Sequence, residues 1–190
     1  VWMAPNVTPL IFQGKRTVSL SGGTVLDTGF SPDRSPLIFI AYNHLTPLLA
    51  TRIVQDNRIA YSFGGPGRDD NATIYTFATG VAKTEKWGMS FRNSAGVEIY
   101  NSACLPLTFE FLDRQKAVDS GTYEYSYPVA IMPSYAHVVN APMPGGATTI
   151  VFGFSCTGNQ ITTVVVTQSY NGSSVTLNSQ LPVLNRSLYD

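Results

Sequence analysis

Charge is what this sequence has least of. Only 13% of its 190 residues are Asp, Glu, Lys or Arg, and twelve basic side chains cancel twelve acidic ones. No basic stripe is available to neutralise phosphates, so direct binding to nucleic acid is not expected. The two histidines, His44 and His137, stand far apart and form no ligand-spaced pair, so each reads as an ordinary loop histidine. Two cysteines, Cys104 and Cys156, are too few for a disulfide framework or a zinc site. Buried thiols acting as small hydrophobes are favoured for them over a bridge, which stays open. Apolar runs such as residues 36–41 are far too short to span a bilayer, so membrane insertion is not expected. The first fifteen residues carry no basic segment ahead of a long apolar run, so no signal peptide is expected. HExxH, GxSxG and Walker patterns are missing. Residues 153–158, GFSCTG, are one residue too long for a nucleophile elbow and lie where a hairpin is expected. Paired acids of the kind a glycosidase needs occur only at Asp69-Asp70. The expectation is a protein that is not an enzyme and holds no cofactor and no metal.

What the chain does have is β chemistry. Aromatics reach 12%, with 16 glycines and 12 prolines; such a composition folds rather than remaining disordered. Residues 36–42, PLIFIAY, are apolar on both faces and read as a central strand. Residues 51–54 and 58–63 flank Asp56-Asn57, a tight-turn pair, and residues 73–79 carry Tyr75 and Phe77 on one face. Residues 148–156, 160–170 and 173–181 form a closing meander, with turns at Thr157-Gly158-Asn159 and Asn171-Gly172. Residues 111–118 are the one stretch with helical character. Roughly a dozen short strands with regular turn signals, and no βαβ alternation, predict an all-β fold: an antiparallel β-sandwich or a barrel-like structure. The expected organisation is an N-terminal Pro-rich arm or edge strand over residues 1–14 and a β-domain over 15–190, with a subdivision near 112–121.

The most structured stretch is 86–109, KWGMSFRNSAGVEIYNSACLPLTF. Trp87, Met89 and Phe91 alternate with small or polar residues, Asn93-Ser94-Ala95-Gly96 has turn chemistry, and Val97 and Ile99 alternate on the return. This stretch is expected to organise the rest of the chain.

The order of pieces from Ser35 to Phe109 resembles a family of small tailed-bacteriophage proteins associated with the tail tip and tail fibre. Its hairpin has the form Tyr-Gly-Leu-x-Val-x-Asn-x-x-Gly-x-x-x-Phe-Asp-Ser. Trp87-Gly88-Met89 stands for the opening, Phe91 for the apolar strand position, and Asn93 with Gly96 for the turn. Ile99-Tyr100-Asn101-Ser102 stands for the end. The match covers under half of the chain, Asn101 replaces the usual Asp, and residues 110–190 carry no matching motif. The resemblance implies a structural component of the virion at the distal tail, assembled in the bacterial cytoplasm. Its partners would be other tail proteins (tip, fibre or tube) and copies of itself. It supplies no catalytic residue. A low-charge surface, with little self-repulsion, also leans towards assembly.

Tyr123, Tyr125 and Tyr127 share one face of an extended segment by their spacing of two, with Glu124 and Ser126 opposite. A core-facing strand is the plain reading of this row; a subunit interface or a platform for a host surface glycan are the functional ones. A receptor- or glycan-binding module using that face is accordingly one alternative, and a capsid decoration protein another. Asp69, Asp70 and Asn71 offer oxygens to a calcium ion, although adjacent acids in a Gly-rich loop are ordinarily just solvated. Residues 1–14 and 181–190 are candidate arms that order on a neighbour, so deletion of residues 1–12 is expected to spare the fold.

Overall fold

The computed structural model describes residues 8–21, 23–42, 49–64, 70–81, 88–113, 121–133, 135–143, 146–170 and 180–190. The first eight strands are β1 (Leu10–Leu20), β2 (Val25–Asp27), β3 (Leu37–Tyr42), β4 (Leu49–Gln55), β5 (Arg58–Gly64), β6 (Asp70–Thr79), β7 (Ser90–Arg92) and β8 (Glu98–Asn101). The remaining strands are β9 (Glu110–Asp113), β10 (Thr122–Glu124), β11 (Val129–Ile131), β12 (Tyr135–Met143), β13 (Gly146–Thr157), β14 (Gln160–Tyr170) and β15 (Gln180–Asn185). Short 3-10 turns occupy Pro32–Arg34 and Arg186–Leu188. The fold is all-β and its strand pairs are antiparallel, as the turn spacing predicts.

A six-stranded sheet in the order β1-β6-β3-β11-β15-β9 forms the frame. One of its faces is covered by two smaller sheets side by side. The three-stranded sheet β2-β5-β4 closes over Ile38, Ile40 and Ile74 with Ile59, Tyr61 and Phe63. The four-stranded sheet β10-β14-β13-β12 closes over Val129, Leu181 and Val183 with Phe154, Cys156 and Ile161. The Oγ1 of Thr157, in the turn region of β13–β14, donates to the Tyr42 carbonyl at 3.1 Å and ties the two halves together. Between them remains a cavity of about 10 Å³ beside Ile40, Ile131 and Phe154, room for one water at most. Strand β3 feeds both faces, which is why it reads as apolar throughout: Ile38, Ile40 and Tyr42 point one way, Phe39 and Ala41 the other.

On the opposite face Phe39, Tyr75, Phe77 and Leu184 form a second core, closed by Phe12, Leu107 and Tyr189. Tyr189 stacks edge-on against Phe77 with ring centroids 5.1 Å apart, and its hydroxyl donates to the Pro106 carbonyl at 2.8 Å. Chain geometry shows how this core is enclosed. Residues 105–107 run along the outer edge of β1, where Phe12 N donates to Leu105 O and Leu107 N to Leu10 O. Only three residues later β9 begins on the opposite edge of the sheet. Three residues reach about 11 Å at most, whereas six strands laid flat would separate the outer ones by about 24 Å. The sheet therefore curls around this core, which is the barrel-like element of a sandwich.

Strand β1 changes faces part-way. Phe12 pairs with Phe77 and Gly14 with Thr76, leaving Gln13 as an extra residue. A one-residue bulge shifts the parity of every side chain beyond it. Leu10 and Phe12 thus join the curled core while Val18 and Leu20 join the sandwich core. Gln13 uses its side-chain amide to donate to Ala78 O and Gly80 O.

Several expectations change here. The arm placed at residues 1–14 cannot extend through residue 14, because residues 10–14 belong to β1, an outer strand of the sheet, and Ile11 is fully buried. Residues 1–7 lie outside the described ones. A truncation through residue 12 removes Ile11 and Phe12 from two packed faces, so a cut that spares the sheet must end before Leu10. The helical reading of 111–118 fails at its start: Glu110–Asp113 is extended and pairs with β15, since Leu112 is needed in the core beside Leu181. Residues 114–120 lie outside the described ones. The frame sheet draws strands from both sides of 112–121, so the β-structure on either side is joined through β3 and β11. The candidate arm at 181–190 is likewise built in, through β15 and the buried Tyr189.

Candidate functional site

The hairpin that carries the family resemblance is formed, but it stands apart from the three cores. Among the described residues β7 and β8 pair only with each other. Asn93 organises the turn: its Oδ1 accepts from Ala95 N and Val97 N, and its backbone N donates to Val97 O. Gly96 sits at φ +77, a left-handed conformation that glycine takes without strain. At the base, Gly88 sits at φ +137 beside Ser102, a conformation that favours glycine. Asn101 is buried and fully used. Its Nδ2 donates to Glu98 Oε1 at 2.7 Å, and its Oδ1 accepts from Ala103 N and Cys104 Sγ. An aspartate at this position would face the Glu98 carboxylate with a like charge, which accounts for Asn where the resembled pattern has Asp.

The apolar residues of the ribbon are turned outward, against the expectation that this stretch organises the chain. Met89 is 70% exposed, Val97 58% and Phe91 43%. Phe91 packs on Tyr100 of its own ribbon, at a ring separation of 5.9 Å. Trp87 lies outside the described residues. An isolated two-stranded ribbon has no apolar face covered from within and is marginally stable by itself.

The tyrosine row is real in geometry and mixed in character. Tyr123 pairs with Ile161 in β10–β14, and Glu124 and Ser126 are exposed opposite the half-buried rings, as the spacing of two predicts. The centroids of Tyr123 and Tyr125 lie 5.2 Å apart, and those of Tyr125 and Tyr127 lie 5.4 Å apart. All three pack on the core that contains Phe154 and Ile161. Strand β10 ends at Glu124, and Tyr125 is held by reciprocal contacts with Asn159: Tyr125 N donates to Asn159 O, and Asn159 Nδ2 donates to Tyr125 O. Burial, then the nearby Glu110 carboxylate, pushes the Tyr125 phenol up. The Tyr127 phenol rises to about 12, through desolvation and then through donating its proton to Glu110 Oε1. The row is thus the rim of a core, with Tyr127 at its open end.

Beside Tyr127, where β9 pairs with β15, lies a cleft of about 180 Å³ bounded by Thr108, Phe109, Glu110, Tyr127, Val183 and Asn185. Phe109 is 44% exposed and Phe111 55%, and their rings meet edge to face at 5.1 Å. Sequence reasoning missed Phe109, Glu110 and Asn185, since only the pairing of β9 with β15 brings these distant positions together. It also missed a polar cluster behind the curled core. Tyr75 Oη donates to Asp190 Oδ1 at 2.6 Å, Arg186 Nε donates to Tyr75 Oη, and Lys15 Nζ lies 3.2 Å from Asp190 Oδ1.

Cys104 and Cys156 are buried free thiols, and burial pushes Cys156 up to about 12, well away from thiolate chemistry. Among the described residues no group of three or more His, Cys, Asp or Glu is placed to hold a metal ion. Asn71 is taken into β6 opposite Ser19, while Asp69 and His44 lie outside the described residues. Comparison with known proteins finds no family model, no curated protein and no solved structure that matches this chain.

Proposed function

We propose that this protein is a structural component of a bacteriophage tail, at or near the tail tip or fibre attachment, which works by protein–protein assembly. The observation that carries the reading is the β7–β8 ribbon. It holds the residues of the resemblance, and it offers Met89, Phe91 and Val97 to the outside while pairing with no other strand among the described residues. Exposed apolar side chains gathered on one element mark surfaces that a partner covers. The partner would be another tail protein or a second copy of this chain, and low overall charge removes the repulsion that would oppose contact. The mechanism requires no reaction: the ribbon docks, its apolar face is desolvated, and its marginal pairing becomes ordered. Gold labelling of purified phage particles, with the protein's amount measured by mass spectrometry, tests this. Stoichiometric label at the distal tail supports it, label on the head favours a decoration protein, and absence from the particle overturns it.

A further inference from the structure

The cleft beside Tyr127 combines three chemistries that seldom meet by accident. Phe109 and Tyr127 supply aromatic walls over a floor of fully buried Val183. Glu110 accepts the Tyr127 hydroxyl hydrogen on Oε1, which leaves Oε2 as a second acceptor. Asn185 accepts Ser187 N on Oδ1 and has no partner for Nδ2 among the described residues. A carboxylate oxygen beside an amide donor, set against aromatic rings, matches a polyol ring. Hydroxyl groups donate to Oε2 and accept from Nδ2, while the C–H face of the ring lies on the aromatic. Among the described residues no cation lines the cleft to offer a phosphate or sulfate a counter-charge, and Glu110 opposes an acidic sugar. A volume of about 180 Å³ falls below the ~300–1,000 Å³ of sites that enclose drug-sized ligands.

We infer that the cleft formed by Phe109, Glu110, Tyr127 and Asn185 is a binding site for one neutral sugar residue, such as the terminal unit of a glycan. The inference is independent of the assembly reading, because it uses none of the ribbon's residues and is tested on the isolated protein. Of the tyrosine row Tyr127 lines the cleft, while all three rings pack on the core.

Saturation-transfer NMR on the full chain with the methyl glycosides of glucose, galactose and N-acetylglucosamine, and with glucuronic acid as the acidic probe, decides the matter. Transfer to the ring C–H protons of at least one neutral sugar is expected, with weaker or no transfer to glucuronic acid. Phe109→Ala and Glu110→Gln change exposed positions and should each weaken binding about tenfold. Their thermal melts, taken alongside, show that the fold persists. If no neutral sugar shows transfer at millimolar concentration, if glucuronic acid is preferred, or if transfer survives in both folded variants, the inference is overturned.

Discussion

Two hairpins of this chain have equally good turn chemistry and opposite fates. Between β4 and β5, Asp56 and Asn57 adopt φ +49 and +58, the paired left-handed conformations that match the twist of a two-residue hairpin. That hairpin lies on the central sheet and buries Ile59, Tyr61 and Phe63. Between β7 and β8 the Asn93–Gly96 turn is just as well bonded, yet Met89, Phe91 and Val97 face outward. Turn residues decide whether two strands fold back on each other; they do not decide what the resulting face meets. For β4–β5 the partner surface belongs to the same chain. For β7–β8, on our reading, it belongs to another.

The largest expected contrast is between apolar truncations in the two hairpins. Phe63→Ala, at 1% exposure, should lower stability by about 3–5 kcal/mol in urea unfolding. Phe91→Ala should change it by less than about 0.5 kcal/mol while lowering incorporation into particles. A large loss of stability from Phe91→Ala would erase the distinction.

Turn substitutions sharpen the same contrast at smaller scale. Asn57→Ala forces alanine into a left-handed conformation and should cost about 1–2 kcal/mol of global stability. Gly96→Ala, at φ +77, carries a similar local strain, but the ribbon opens without the rest. The global unfolding midpoint should stay put while amide exchange in residues 90–101 quickens.

Alkaline and acid titrations probe the polar cluster of Tyr75, Arg186 and Asp190. The Tyr75 phenol is raised to about 12, by burial first and then by its hydrogen bond to Asp190. A raised pKa means its contribution is complete below the ordinary value of about 10 and is lost as pH climbs towards 12. Phenolate absorbance and unfolding measured together should show that loss, flattened in Tyr75→Phe. The smallest effect concerns Asp190. Burial raises its carboxyl, but hydrogen bonds from Tyr75 and Lys15 and the charges of Arg186 and Lys15 outweigh this and hold it below the usual value. The stability it contributes is present above about pH 4 and is lost as pH falls through the lowered folded value. Asp190→Asn should therefore differ from the parent at neutral pH and converge with it in acid. Divergence that grows in acid would contradict the assignment.

What could be read in the chain follows how local each determinant is. The strand at Leu37–Tyr42, the turn at Asp56-Asn57 and the two-residue spacing of the tyrosines rest on neighbours in sequence, and all were legible. The bulge at Gln13 was not, because it shows only once β6 is known to be the partner. Nor was β9: Glu110-Phe111-Leu112-Asp113 has no alternation strong enough to declare a strand, and its pairing with Leu181 and Val183 spans some seventy residues. The cleft was hidden for the same reason, since Phe109 and Asn185 meet only through that pairing. The ribbon misled in a different way. Alternating apolar residues announce a strand with one face to be covered, and they cannot say whether the cover lies in the same molecule.

Hydrogen exchange of the backbone amides of residues 90–101, compared with those of 58–63, in the isolated chain and in assembled particles, tests the central claim most directly. The account predicts fast exchange of the ribbon amides in the free chain, slow exchange of the β5 amides in both states, and protection of the ribbon once assembled. Ribbon amides as protected as those of β5 in the free chain, or equally fast in both states, would contradict it.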